Sequence, residues 1–360
     1  MKTKVSKSFP KSVAPKRAIK VVAIGGGTGL STLLKGLREY VQRSGEAAPG
    51  TTIAELSAVV TVTDDGGSSG RLRKDFNMLP PGDIRNCIVA LSEDQALLSR
   101  LFQYRFQGGS DLDGHNFGNL FLAALAAVTG DFAEAVQLSS EILTTRGRIF
   151  PATTSNVDLE AVMNDQSRVR GETSITKSQK RIRWLELVPA DVKPLPQTLV
   201  ALAQADLITI GPGSLFTSLI PNVLVGGIPE AIANSPAVKV FVCNLMTQAN
   251  ESLGLSAADH VRAIYNHAGH RIFDYALVNR KPASADLIAK YALEAGSQIA
   301  VDADQLEKMG VKPIFGEYLF EENGVARHAY TTIAADLLKL VTRKAARAAL
   351  GGHRSRARAG

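Results

Sequence analysis

The stretch AIKVVAIGGGTGLSTLLKGLREYV, residues 18–41, runs from an apolar segment through a cluster of glycines into an amphipathic segment. Residues 18–24 have the nearly continuous apolar character of a strand buried on both faces. Beyond the glycines, four leucines recur with the spacing of one helix face: Leu30, Leu33, Leu34 and Leu37. A strand that leads at once into a helix is the repeating unit of parallel α/β sheets, so this stretch predicts that class of fold.

The alternation of strand and helix continues along the chain. Strands are predicted at residues 52–63, 205–211, 238–246 and 272–279, and helices at 82–92, 118–130, 132–143 and 331–350. Residues 151–190 differ, because segments such as RIRWLELV alternate in polarity and are separated by polar turns. The sequence therefore predicts one α/β domain, residues 18–342, with a doubly wound, mostly parallel sheet and a β-rich insertion at 151–190.

The positive net charge of +7 comes from the two ends of the chain. Residues 1–20 carry seven Lys or Arg, and residues 343–360 carry six, with no acid in either segment. Without these thirteen cations the chain has 28 basic and 34 acidic residues, a net charge of −6. Residues 1–17 and 343–360 are predicted to be disordered basic tails that aid solubility. A nucleic-acid or membrane tether is the less favoured role, since no RNA-binding motif accompanies them, and no specific nucleic-acid partner is expected.

The apolar runs and the cysteines indicate a cytoplasmic protein without a membrane span. No apolar run approaches the roughly 18 residues that a spanning helix needs. The basic N-terminus lacks the apolar core of a signal peptide. Cys87 and Cys243 lie far apart in the sequence and suit reduced core thiols, and no Cys/His spacing suits zinc.

The first of three loops predicted to bind a ligand lies in the opening stretch. Glycines allow a phosphate to approach the backbone, and the helix that follows offers free N–H groups with a partial positive charge. Neither standard fingerprint is present: Leu30 stands where G-x-G-x-x-G needs Gly or Ala, and no Gly-Lys-Ser/Thr follows for a P-loop. An anion site is still predicted for this first loop, formed by Gly25, Gly26, Gly27, Thr28 and Gly29.

The second loop belongs to VTVTDDGGSSGRLR, residues 60–73. Asp64 and Asp65 leave the end of the second predicted strand, where they could bind ribose hydroxyls or hold Mg²⁺ through carboxylate oxygens. If the protein is an enzyme, these two aspartates are the predicted catalytic residues, with Asp64 as a metal ligand. The predicted ligand-binding groups of this loop are Gly66, Gly67, Ser68, Ser69 and Arg71.

The third loop, GPGSLFTSLIPN at residues 211–222, follows the predicted strand at 205–211. Gly211 and Gly213 free the backbone, and Ser214 is placed to cap a helix, so this loop is predicted to form a second wall for a phosphorylated ligand. Single polar residues at other strand ends or helix starts complete the candidate set: Asn86, His115, Asn119 and Asn244.

Taken together, the motifs resemble a known family. GGGTGLSTLLKGL, VTVTDDGGSSGRLR, PPGDIRNCIVALS, GHNFGNLFLAAL, IGPGSLFTSLIPN and VFVCNLMTQ occur in the order found in YvcK-type gluconeogenesis factors, which belong to the superfamily of 2-phospho-L-lactate transferase. The resemblance covers roughly residues 18 to 340. One departure is Asn116, which stands where the family usually has Ser.

This resemblance implies a Rossmann-like cytoplasmic protein that binds a nucleotide-linked ligand, with UDP-sugars as the favoured class. It also implies a role in growth on gluconeogenic carbon sources, in cell shape and in wall-precursor supply. The C-terminal part of the family contributes to the pocket, and Tyr291 and Arg327 are the matching candidates here. A protein partner from wall or central metabolism is expected, and self-association into a homo-oligomer is left open.

Two functions remain open from the residues. One is a binding and regulatory protein that senses a UDP-sugar, which the family branch favours. The other is a Mg²⁺-dependent transferase acting on a nucleotide-activated phosphate ester, which the Asp64–Asp65 pair favours. Both use the same glycines and cations, because cradling a diphosphate and catalysing its attack need similar groups. A nicotinamide-type ligand is the least favoured alternative.

Overall fold

The computed structural model describes residues 18–42, 51–93, 96–109, 111–178 and 180–356. Its strands are β1 (Ala18–Gly25), β2 (Thr52–Val60), β3 (Arg148–Pro151), β4 (Asp158–Met163), β5 (Arg168–Arg170), β6 (Ile182–Val188), β7 (Leu207–Ile210), β8 (Val238–Val242), β9 (Tyr275–Asn279), β10 (Lys312–Gly316), β11 (Leu319–Glu322) and β12 (Val325–His328).

Its α-helices are α1 (Gly27–Arg38), α2 (Gly67–Phe76), α3 (Gly82–Leu91), α4 (Ala96–Gln103), α5 (Phe117–Thr129), α6 (Phe132–Ile142), α7 (Glu172–Lys177), α8 (Pro196–Gln204), α9 (Ile220–Val223), α10 (Ile228–Asn234), α11 (Ala257–Ala268), α12 (Ala285–Ala292), α13 (Ala303–Lys308) and α14 (Tyr330–Arg356). A π-helix, Leu215–Leu219, precedes α9.

The main sheet has seven strands in the order β10-β9-β8-β7-β1-β2-β3, and all of its neighbours pair in parallel. β1 lies inside the sheet, between β7 and β2, and its apolar residues are buried, as expected for an interior strand covered on both faces. The four leucines of α1 are fully buried against the core, and each such side chain stabilises the fold by about 1.5–3 kcal/mol. The predicted α/β fold with a parallel sheet is therefore confirmed.

The strand order changes direction next to β1. From β1 the chain proceeds outward through β2 to β3, whereas β7, β8, β9 and β10 extend the sheet on the other side. Pairing of Ile24 with both Val59 and Ile210 places the carboxyl ends of β1, β2 and β7 at one edge. In open α/β sheets, ligands bind at this edge, in the crevice where the strand order reverses.

The insertion forms a separate antiparallel sheet, β5-β4-β6, as the alternating pattern predicts. β3, which ends at Pro151, pairs with β2 and therefore belongs to the main sheet, so the insertion begins after this strand. Arg73 of α2 bonds Asp158 at 2.7 Å, and His267 of α11 accepts a hydrogen bond from the Leu185 amide at 3.0 Å. These contacts hold the insertion against the main domain.

The second predicted loop is shorter in the structure than in the sequence analysis. α2 already begins at Gly67, so Ser68 and Ser69 lie in its first turn. Only glycine fits at position 70, because a Cβ atom there would lie 1.9 Å from the Asp65 carbonyl oxygen. β2 ends at Val60, but the Thr61 amide still donates to the Gly25 carbonyl at 2.9 Å, which ties this segment to the first loop.

The closing helix, α14, continues to Arg356, which is beyond its predicted end at residue 350 and within the predicted basic tail. The predicted N-terminal tail, residues 1–17, lies outside the described residues. Among the helices of the described segments, no single one is long and apolar enough to cross a membrane. One pair of helices, Leu215–Val223 and Ile228–Asn234, meets both requirements when taken together, but the pair is bent by 76°.

Candidate functional site

A cleft of about 360 Å³ opens at the crevice between β1 and β7. The first turn of α1 forms one wall, the segment after β7 forms a second, and residues after β8 and from β12 close it. Nine of the residues predicted from the sequence line this cleft: Gly26, Gly27, Thr28, Gly29, Gly213, Ser214, Asn244, Tyr291 and Arg327. The volume falls in the usual range for small-molecule sites.

The first loop presents backbone amides to the cleft. The amides in the first turn of α1 have no intrahelical acceptors. Gly27 donates to Asp83 Oδ2 at 2.6 Å, whereas no described group accepts from the amides of Thr28 and Gly29. A Cβ atom at Gly29 would lie 2.2 Å from the Pro212 carbonyl oxygen, so only glycine allows the two walls to approach this closely.

The third loop is held in place by side chains from the segment after β8. Asn244 donates to the Gly213 carbonyl at 2.7 Å and accepts from the Gly213 amide at 3.2 Å, so both ends of its amide group hold this turn. Gln248 donates to Ser214 Oγ at 2.9 Å, and Glu251 accepts from the Thr217 amide at 2.8 Å. Glu251 thus binds the amide of Thr217 within the π-helix.

The far wall carries the groups from the C-terminal part of the chain. Arg327 is half-exposed and lies 3.9 Å from Glu322, which is also exposed. Tyr291 from α12 accepts a hydrogen bond from the Ala326 amide at 3.3 Å through its hydroxyl oxygen. Among the described residues that line the cleft, Arg327 is the only arginine or lysine and Glu172 the only carboxylic acid.

Glu172 belongs to a group of carboxyl side chains at the sheet edge. Burial, followed in order of size by the negative charges of Asp64, Asp83, Asp65 and Glu251, raises the pKa of Glu172 to about 9. Burial also raises the pKa of Asp83 to about 6, against the opposing effect of its bond from Gly27. Glu172 is therefore protonated at neutral pH, and this cluster favours a proton or a cation.

The predicted aspartates bind the protein's own backbone. Asp65 Oδ1 accepts from both the amide and the hydroxyl of Thr173, at 2.8 and 2.6 Å, and so anchors α7 of the insertion. Asp64 Oδ1 accepts from the Gly66 amide at 2.8 Å. Neither aspartate lines the cleft, although the charge of Asp64 acts on both Glu172 and Asp83.

The remaining predicted residues lie outside the lining of this cleft. Gly25 and Gly211 pack behind it, and Gly66 and Gly67 lead into α2. Ser68 Oγ lies 3.1 Å from His115 Nδ1 and accepts from Asn119 Nδ2 at 3.2 Å, which forms a buried polar cluster. The other members of the predicted set bond nearby groups: Ser69 to the Gly82 amide, Arg71 to the Asp113 carbonyl and Asn86 to Arg85.

Asn116 shows what the departure from the family motif does. Its Oδ1 accepts from the amides of Gly118 and Asn119, at 2.9 and 3.4 Å, and so caps the N-terminus of α5. Asn and Ser are both good N-cap residues, so the substitution keeps this local structure.

Several cleft residues were absent from the sequence-based set, above all Glu172, Gln248 and His328. Glu172 reaches the cleft because the insertion folds back over the sheet edge, which no local pattern reveals. His328 directly follows the predicted site residue Arg327, and this position in the sequence was the one signal that could have identified it as a cleft residue.

Comparisons with known proteins agree with this architecture. The family model of 2-phospho-L-lactate transferase CofD matches residues 21–319. The chain is 46% identical over 319 residues to the gluconeogenesis factor of Halalkalibacterium halodurans, covering 89% of this chain and 95% of that one. It is 43% identical to the gluconeogenesis factor of Bacillus subtilis, covering 89% and 98%. A Bacillus halodurans protein solved by X-ray crystallography superposes with a TM-score of 0.84 at 45% identity, covering 89% of this chain and all of that one.

Proposed function

This chain belongs to the gluconeogenesis factors within the 2-phospho-L-lactate transferase CofD family, and we propose that it is a binding and regulatory protein whose cleft takes a nucleotide diphosphate sugar of the UDP-sugar class. The observation that carries the proposal is the meeting of two features in one cleft. The unpartnered amides of Thr28 and Gly29 line it, and so does the Arg327 guanidinium. Amides at a helix N-terminus together with an arginine suit the oxygens of a diphosphate.

The internal hydrogen bonds favour binding over turnover. Asp65 holds Thr173, Asp83 holds the Gly27 amide, and Glu251 holds the Thr217 amide. Carboxylates committed in this way shape the walls of the cleft and are not free to act as bases. We infer a cytoplasmic sensor that passes its ligand state to a protein partner of wall or central metabolism, with effects on gluconeogenic growth and cell shape.

A Mg²⁺-dependent transferase is the second candidate, and the carboxyl cluster is what favours it. Within the described segments, no three acidic, His or Cys side chains are placed to hold a metal by themselves. Mg²⁺ commonly uses only one or two carboxylates together with water and phosphate oxygens, so Glu172 would be the ligand from the cleft lining once it loses its proton, with the charge of Asp64 close by. Bound there, the ion would neutralise charge on the diphosphate while Arg327 and the α1 amides orient it.

Calorimetric titration tests the proposal. UDP, UDP-glucose and UDP-N-acetylglucosamine are titrated into the wild-type protein, with and without Mg²⁺. Arg327→Gln should weaken binding about tenfold or more, because a charged hydrogen bond to phosphate is lost. Arg271→Gln is the matched control, since Arg271 is exposed and does not line the cleft.

Two results would count against the proposal. The absence of heat from every ligand with the wild-type protein would contradict nucleotide-sugar binding. Formation of a transferred product in the presence of Mg²⁺ and activated phosphate esters would replace the regulatory role with the transferase.

A further inference from the structure

His328 is the last residue of β12 and lines the cleft beside Arg327. Its Nε2 atom lies 3.1 Å from the Cys243 carbonyl oxygen. A carbonyl oxygen can only accept, so Nε2 must carry the hydrogen in this bond. A flipped ring would put a carbon against that oxygen, so the contact fixes both the ring orientation and the position of the hydrogen.

The second ring nitrogen, Nδ1, has no hydrogen-bond partner among the described residues. Nδ1 is not a fully buried atom, so it is accessible to solvent. Because the His328 side chain borders the cleft, Nδ1 is accessible from the cleft. Burial lowers the pKa of His328 to about 4, which outweighs the opposing effect of the Cys243 bond. The ring is therefore neutral at neutral pH and Nδ1 presents a lone pair.

Nδ1 differs from the other polar side chains of the cleft because, in the neutral ring, it can only accept a hydrogen bond. The hydroxyl groups of Thr28, Thr32, Ser214 and Ser218 can both donate and accept. Both ends of the Asn244 amide are bonded to Gly213. The side-chain oxygen of Gln248 is buried, and the hydroxyl oxygen of Tyr291 already accepts from the Ala326 amide. At neutral pH Glu172 is protonated, and its O–H can serve as a donor.

Building on the proposed function, we propose that His328 is a specificity-determining residue whose Nδ1 accepts a hydrogen bond from an O–H or N–H group of the ligand. An ionised diphosphate has only acceptors and gains nothing from a lone pair, so His328 marks where the non-phosphate part of the ligand lies. In a UDP-sugar, such a donor comes from either a sugar hydroxyl or the uracil N3–H. Nucleotide diphosphates whose nearest group is an acceptor are selected against, because two lone pairs would then face each other.

Two substitutions distinguish the roles of the two ring nitrogens of His328. His328→Gln can place an amide nitrogen near the position of Nε2 and keep the bond to the Cys243 carbonyl while removing the acceptor at Nδ1. His328→Asn can place an amide oxygen near the position of Nδ1 and keep an acceptor there. UDP-glucose affinity measured by calorimetry should fall about tenfold for the Gln variant, since a donor of the ligand loses its partner, and should fall less for the Asn variant.

Modified ligands identify the donor. If the uracil N3–H is the donor, N3-methyl-UDP-glucose should bind wild type and the Gln variant with about equal affinity. If a sugar hydroxyl is the donor, the UDP-deoxyglucose analogue that lacks this hydroxyl should bind the two proteins with about equal affinity. The role of His328 would be overturned, and the proposed function left intact, by either of two results. One is equal UDP-glucose affinity of wild type and the Gln variant. The other is that His328→Gln lowers the affinity for every modified ligand as much as it lowers the affinity for UDP-glucose. A wild-type protein that binds neither UDP nor UDP-glucose refutes both.

Discussion

Replacing Glu172 by Gln should change how the stability of the protein depends on pH. Glu172 begins α7 and is half-buried in the wall of the cleft, close enough to Asp64 and Asp83 for their charges to act on it. Its pKa of about 9 means that the folded protein keeps it protonated at neutral pH. Glutamine has nearly the same shape as the protonated side chain and does not ionise, so Glu172→Gln removes only the titration.

The sign and the size of the effect follow from the raised pKa. The folded state holds a proton that the unfolded state releases above its ordinary pKa of about 4.3. The stability gained from this proton is therefore fully present at low pH and is lost as pH rises toward 9. The loss is at most about 1.4 kcal/mol per pH unit, and water at the half-buried side chain should reduce it to about 1–2 kcal/mol between roughly pH 6 and pH 8.

Scanning calorimetry at both pH values measures this loss. The melting temperature of Glu172→Gln relative to wild type should rise by roughly 3 °C between the lower and the higher pH. Glu307→Gln, a substitution at an exposed glutamate of α13, is the matched control and should show no such change. A constant or falling advantage of Glu172→Gln with rising pH would refute the account of the carboxyl cluster.

Two further predictions concern the contacts that hold the site. Asn244→Ala removes both hydrogen bonds to Gly213 and should lower the free energy of unfolding by about 2 kcal/mol, measured by urea denaturation, and also weaken UDP-glucose binding; unchanged stability would show that the turn holds itself. His267 is expected to make stability fall in acid, because burial lowers its pKa and the folded protein then binds fewer protons than the unfolded chain below about pH 6.5. His267→Gln should reduce that acid loss, which a pH series of melting temperatures checks, and an equal loss in both proteins would contradict it.

The sheet and the two glycine walls could be predicted because their signals are local. Nearly continuous apolar residues at 18–24 and 207–210 mark buried parallel strands, and the carboxyl ends of such strands share one edge. The glycines after β1 and β7 therefore had to face the same crevice. Gly29 lies against the Pro212 carbonyl, where a larger residue would clash, so the third loop restricts which residue the first loop can carry at this position.

The rest of the site depends on contacts between distant parts of the chain. Ser68 and His115 meet only because α2 packs on the segment before α5, and they meet outside the lining of the cleft. Asn244 is marked by its position at a strand end, but only the structure shows that its amide group holds Gly213. Glu172 comes from the insertion, whose docking on the sheet edge rests on tertiary contacts such as Asp65 with Thr173.

A crystal structure of the protein grown with a UDP-sugar is the most direct test of the account. The diphosphate should lie in the cleft between β1 and β7, within hydrogen-bond distance of the Thr28 and Gly29 amides and of Arg327. Ligand density elsewhere, for example at the cluster of Ser68, His115 and Asn119, with the cleft empty, would contradict it.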